Sequence, residues 1–141
     1  MRCKKNVKIK LSMMLILIIA IIGCEESTEP NHNPIVNSII AFPNPVQVSD
    51  SFAVFVSAED IDGDPLTYDW FCSNGGAHIK EAPTDTVYEL LNSKSNVIIF
   101  VAKDTLNFST GHATIFCDVR DNKGGLKTVY IHVGLFEWYP G

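Results

Sequence analysis

No acidic side chain precedes Glu25, and basic ones become scarce after residue 10. Five of the eleven basic residues (Arg2, Lys4, Lys5, Lys8 and Lys10) sit in the first ten positions. Beyond residue 23, six basic side chains face sixteen acidic ones, a formal charge of −10. Such a body repels phosphate backbones, which excludes nucleic acid as a partner class. Histidines are few and scattered: His32, His78, His112 and His132 have no Ser, Cys or carboxylate at the spacing of a catalytic set. No glycine-rich phosphate loop is present. These absences argue against an enzyme. Beyond the leader no stretch carries the 3.6-residue period of a long amphipathic helix, which argues against an α or α/β fold. Of four cysteines only Cys72 and Cys117 lie in the body, and two thiols without a histidine pair make a poor zinc site.

What is present begins with a leader. Residues 1–10 are basic, and residues 13–22 (MMLILIIAII) lack any polar side chain. That is the charge and apolar pattern of a secretory signal, and it falls short of the about 20 residues a spanning helix needs. Ile21-Ile22-Gly23-Cys24 resembles the lipobox of bacterial lipoproteins. The resemblance implies cleavage after Gly23 and acylation of the Cys24 thiol, palmitate among the chains, with the protein held in the cell envelope at the outer membrane or cell surface. Several acyl chains make such an anchor durable. Residues 24–33 then read as the lipidated cysteine and an acidic tether, with nothing to bury. An acidic stretch in this place also resembles the surface-export signal of some Bacteroidetes lipoproteins; a plain solvated linker explains it equally.

From Ile35 onward the period is two. Phe52, Val54, Val56 and Ala58 alternate with Ala53, Phe55 and Ser57. Leu66, Tyr68, Trp70 and Cys72 alternate with Thr67, Asp69 and Phe71. Ala113, Ile115, Cys117 and Val119 form a third series, and Val129, Ile131 and Val133 a fourth. Half-buried antiparallel strands produce this pattern. Two apolar runs, Ile35–Phe42 and Val97–Ala102, bring the expected strands to at least six. Pro43-Asn44-Pro45, Asp62-Gly63-Asp64-Pro65, Ser73-Asn74-Gly75-Gly76 and Asp121-Asn122-Lys123-Gly124-Gly125 supply the turns. Residues 88–93 suggest one turn of helix. The fold class expected is all-β, a two-sheet antiparallel sandwich over residues 34–134, followed by an aromatic tail at 135–141.

Three stretches carry a family resemblance: Asn33-Pro34 with Phe42-Pro43-Asn44-Pro45; residues 58–70 (AEDIDGDPLTYDW); and residues 119–125 (VRDNKGG). Together they resemble a polycystic-kidney-disease-type (PKD) domain of the immunoglobulin-like group. Ser73-Asn74-Gly75-Gly76 stands where that family has Gly-Asp-Gly, and Ala113 where it often has Tyr. The resemblance implies an immunoglobulin-like sandwich with Trp70 between the sheets. It makes strands 66–72 and 113–120 antiparallel neighbours. Cys72 and Cys117 share the inward phase, which suggests a cross-strand disulfide, the alternative being two buried thiols. Export permits such a bond, and closing a loop of about 45 residues contributes about 3–4 kcal/mol.

Two candidate sites follow. Asp60, Asp62 and Asp64 crowd one turn, and hard cations want several oxygens. Some relatives bind calcium near this turn, and by resemblance Asn33 and Asp121 join the set. The competing reading is a turn whose carboxylates only cap backbone amides. The second site is a face. On the outward phase, Phe116 is expected opposite Tyr130 and diagonal to Phe71, a cluster able to meet sugar rings or another protein, or merely to steady the sheet. The function expected is that of a membrane-anchored envelope module recognising protein or glycan, with a ligand-free structural subunit as the alternative.

Overall fold

The computed structural model describes residues 30–82, 84, 86–103 and 111–137. Cys24, the leader and most of the tether lie outside them. Among the described residues the chain is all-β, with nine strands. They are β1 (Ile35–Phe42), β2 (Val46–Gln47), β3 (Ser51–Glu59), β4 (Thr67–Cys72), β5 (Ala77–Ile79), β6 (Glu89–Ser93), β7 (Val97–Ala102), β8 (His112–Arg120) and β9 (Leu126–Phe136). A four-stranded sheet has the order β1-β3-β7-β5, and a five-stranded sheet the order β2-β9-β8-β4-β6. All neighbours are antiparallel except β2 and β9. No helix among the described residues is long and apolar enough to cross a membrane.

The two-residue period builds the interior. Phe52, Val54, Val56 and Phe100 from the four-stranded sheet meet Trp70, Ile115, Cys117, Val119 and Val133 from the five-stranded one in a single buried cluster. Phe52 and Phe100 face each other across β3 and β7 with ring centroids 5.7 Å apart. Trp70 is fully buried, and its indole N–H reaches the Ser95 carbonyl at 3.4 Å. Filling that volume with one rigid ring is worth several kcal/mol, since truncating a buried Trp typically costs about 3–5 kcal/mol.

The Pro43-Asn44-Pro45 segment carries the chain from one sheet to the other, with cis peptide bonds before both prolines. Asn44 clips it to β9, donating to the His132 carbonyl (3.1 Å) and accepting from the Gly134 amide (3.0 Å). Val46 is thereby buried and β2 adds to the sheet beside Leu135 and Phe136. The last strand thus runs through Phe136, two residues into the stretch expected as a tail.

Two expectations are corrected. Residues 88–93 do not form a helical turn. Glu89–Ser93 pairs with β4, setting Leu90 opposite Trp70 and Ser93 opposite Tyr68. Nor are Cys72 and Cys117 joined; both are free and buried. The register explains it. Cys117 lies opposite Trp70, and Cys72 opposite Ile115. The two thiols share the inward phase but sit on a diagonal. Diagonal neighbours in a ladder are about 7–8 Å apart, whereas a disulfide needs Cβ atoms within about 4.5 Å.

Candidate functional site

The turn between β3 and β4 places the acidic triad at one end of the fold. Asp60 follows the strand directly and folds the loop around itself. Its Oδ1 accepts from the Asp62 amide (2.9 Å) and the Asp64 amide (3.2 Å), and its carbonyl accepts from the Gly63 amide (3.2 Å). Gly63 sits at φ +76°, where a side chain would be strained, so a glycine between the aspartates permits the tight return. One ligand oxygen from each of Asp60, Asp62 and Asp64 falls within 4.8 Å of the others. Asp60 thus caps amides of this turn while all three side chains cluster their oxygens.

Neighbouring segments close around the triad. Lys123 Nζ lies 2.7 Å from Asp64 Oδ1. The His32 backbone N–H donates to Asp62 Oδ2 (2.7 Å), and its ring Nδ1 lies 2.9 Å from Asp62 Oδ1. The bonds from His32, its backbone amide first, hold the Asp62 carboxyl below the usual range. The ion pair with Asp64 raises Lys123 above the ordinary lysine value.

Asp121 is adjacent to the triad but is not part of it. Buried in the turn between β8 and β9, its Oδ1 accepts from the Lys123 and Gly125 amides (2.7 and 2.9 Å). Its Oδ2 accepts from Asn31 Nδ2 (2.7 Å). Burial pushes this carboxyl up, but the bonds from Asn31 and the two amides outweigh it, and the net direction is down. Asn33 caps the same turn by accepting from the Leu126 amide (3.3 Å). Asn33 and Asp121 are thus brought to the right end of the molecule, yet their oxygens are engaged in holding a turn.

The donor set suits a hard cation on one structural point. Asp60 Oδ2 and Asp64 Oδ2 are buried and have no hydrogen-bond partner. The Asp64 side chain is only 9 % exposed. A buried carboxylate oxygen without a partner is costly, and a metal ion is one of the few groups that offsets this.

The expected aromatic face lies on the outside of the five-stranded sheet. Phe71, Phe116 and Tyr130 occupy one row across β4, β8 and β9. Phe116 is directly opposite Phe71, not diagonal to it. Their rings stack at 5.2 Å with 3° between planes, and Phe116 meets Tyr130 at 5.5 Å. Tyr130 continues edge-on to His132 (5.4 Å), and His132 to His112 (4.7 Å). Phe116 therefore has one ring on each flank, and Tyr130 is the exposed member of the row.

Neither a family model nor a curated protein matches the chain. Among solved structures it is similar to a nucleoside hydrolase-related hypothetical protein from Saccharophagus degradans that is associated with carbohydrate metabolism. The TM-score is 0.46 and the identity 18 %, over 77 % of this chain and 26 % of that one.

Beside the aromatic row a polar group extends the face. Asp69, buried in β4, accepts from Arg120 Nε (2.8 Å) and from the Asn92 amide (2.7 Å). Arg120 also reaches Asp118 at 3.1 Å. Burial raises the Asp69 carboxyl, but these bonds win and its net direction is down. Asn74 is a second organiser: its Oδ1 accepts from the Gly76 and Thr114 amides (3.3 and 3.1 Å) and its Nδ2 donates to the His112 carbonyl (2.7 Å). Lys123, His32, Asn31 and Asn74 were not singled out as site residues from sequence. Their partners lie about 30–90 positions away, and only the folded register joins them.

Proposed function

We propose that this chain is a lipid-anchored envelope module of PKD or immunoglobulin-like type, and that it works by binding another macromolecule. The reading starts from Gly23-Cys24 at the end of a secretory leader, which would fix the mature chain to a membrane through acylated Cys24. The resemblance over residues 58–70 and 119–125 and the two-sheet all-β architecture support the domain type.

The single observation that carries the binding reading is the row of Phe71, Phe116 and Tyr130 on the outside of the five-stranded sheet. Because Phe116 has an aromatic ring on each flank, this row suits apolar side chains of a protein better than sugars, which lie flat on an open ring. The Asp69–Arg120–Asp118 group beside it supplies the polar rim such interfaces carry. Calcium is part of the same reading: Asp60, Asp62 and Asp64 would hold it, and it would rigidify the end of the domain from which the tether leaves.

The test is a paired binding experiment on the Phe116→Ala/Tyr130→Ala double variant. Native capture of one stoichiometric envelope protein, lost in the double variant, supports the reading. Retention of that protein by the variant counts against the face, and binding on a glycan array, lost in the variant, would move the ligand to carbohydrate. An unmodified, uncleaved amino terminus by mass spectrometry would remove the envelope placement.

A further inference from the structure

The outside of the other sheet is also apolar. Alternation along β3 puts Phe52, Val54 and Val56 inward, so Ala53 and Phe55 face out. The register then builds two rows across three strands. Ile40, Phe55 and Val97 form one; Phe42, Ala53 and Ile99 form the next. Val101 extends the patch, opposite Ser51 on one side and His78 on the other. Phe42 is 74 % exposed, Ile40 55 %, Phe55 42 % and Ile99 38 %. No charged side chain stands within these rows. Glu59 lies beyond them at the far end of β3, and Lys80 at the rim beside Ile99.

We infer that two copies of this chain pack face to face through this surface of the four-stranded sheet. At about 200 Å² per large side chain the four exposed residues offer roughly 400 Å². With the partly exposed Ala53, Val97 and Val101, two copies cover about 1,000 Å² in total, the size at which specific interfaces begin. Shape favours a second copy. Ala53 is a dip between Phe42 and Ile99, and Phe55 stands one row away. A two-fold axis running between the sheets over β3 sets the partner subunit's Phe55 near Phe55 and near that dip, with sheets about 10 Å apart. Charge favours it too. A domain this acidic repels its own copies except where it is uncharged, and here it is uncharged. A bilayer is a poorer fit, because surfaces that lie on lipid carry several Lys or Arg around their apolar face, and among the described residues Lys80 is the lysine beside these rows, the Lys103 ammonium being turned to the Tyr88 hydroxyl. The arrangement leaves the Phe71–Phe116–Tyr130 rows outermost on both copies and does not depend on what they bind.

The experiment uses the full chain in its own cell, with a photo-cross-linking amino acid at Ile40. The expected product is an adduct of twice the chain mass, whose peptide map joins position 40 to β1, β3 or β7 of the second copy. Phe55→Lys and Phe55→Glu, each expressed alone, should reduce that adduct at least about tenfold through like-charge repulsion. Co-expression of the two should restore it. Phe55 faces outward, so neither change touches the core, and the wild-type peptide map stands by itself if either variant accumulates poorly. No adduct, a lipid adduct, an adduct to a different protein, or a dimer adduct unchanged in both well-folded charge variants would overturn the inference.

Discussion

Trp70 and Cys117 face each other across β4 and β8, both fully buried. Burial, followed by the charges of Asp118 and Asp69, pushes the Cys117 thiol up to about 12. A thiol held that far above neutrality is not a nucleophile.

Both thiols are buried, so Cys72 and Cys117 should resist alkylation until the domain unfolds, and then both should react. Adding a reductant should leave the melting temperature within about 1 °C, since no cross-link restrains the unfolded chain. A melting temperature that drops on reduction, or an intact mass two hydrogens low, would show a bond between them.

Gly125→Ala should destabilise the domain by about 1–3 kcal/mol through overpacking. An added Cβ would collide with the Asp121 carboxylate, with the Asn33 Cα only 3.1 Å away. Gly63→Ala serves as the contrast. It meets open space, so its cost is backbone strain alone, at φ +76° of order 1 kcal/mol. Thermal melts of the two variants check the order.

Stability should fall in acid. Asp62, Asp69 and Asp121 are all held below their ordinary value of 3.8. A carboxyl depressed by folding contributes stability that is complete above its unfolded value and disappears as pH falls through the folded one. Melting temperature should thus be flat near neutrality and decline below about pH 4. Asp121→Asn should give a lower plateau and a shallower acid decline. An acid profile as steep as that of the parent chain would exclude Asp121 as a contributor.

Calcium should raise the melting temperature. At affinities of about 10⁻⁴–10⁻³ M, typical of extracellular sites, 10 mM calcium is roughly 10–100 times the dissociation constant. That corresponds to a rise of about 5–10 °C for a domain of this size. Asp64→Asn should abolish the rise. No shift in the parent chain would leave the turn a capping device.

The strands with strict alternation were legible because one face of each is buried: β3, β4, β8 and β9 follow the expected phase. Strands β2, β5 and β6 were not. The first two are two and three residues long, and β6 is an edge strand whose residues are nearly all exposed, so no period marks it. The cysteine expectation shows the limit of phase. Parity tells which face a residue joins, but a bond also needs the register, and a two-residue offset separates neighbours from strangers. The aromatic row was found because the turn at residues 121–125 fixes the β8–β9 register, whereas the β4–β8 pairing, joined by a long connection, was one step off. At the acidic end the triad was visible as a local run. The Lys123 and His32 partners were not, because nothing local announces a contact between turns.

The bonds from Asn31 to Asp121 and from His32 to Asp62 also have a mechanical meaning. If the amino-terminal side is the moored end, a pull on the molecule first loads these few polar links, which can yield one at a time, before tension reaches the β1–β3 ladder. The segment then acts as a short fuse that lengthens under strain while the sheets stay intact.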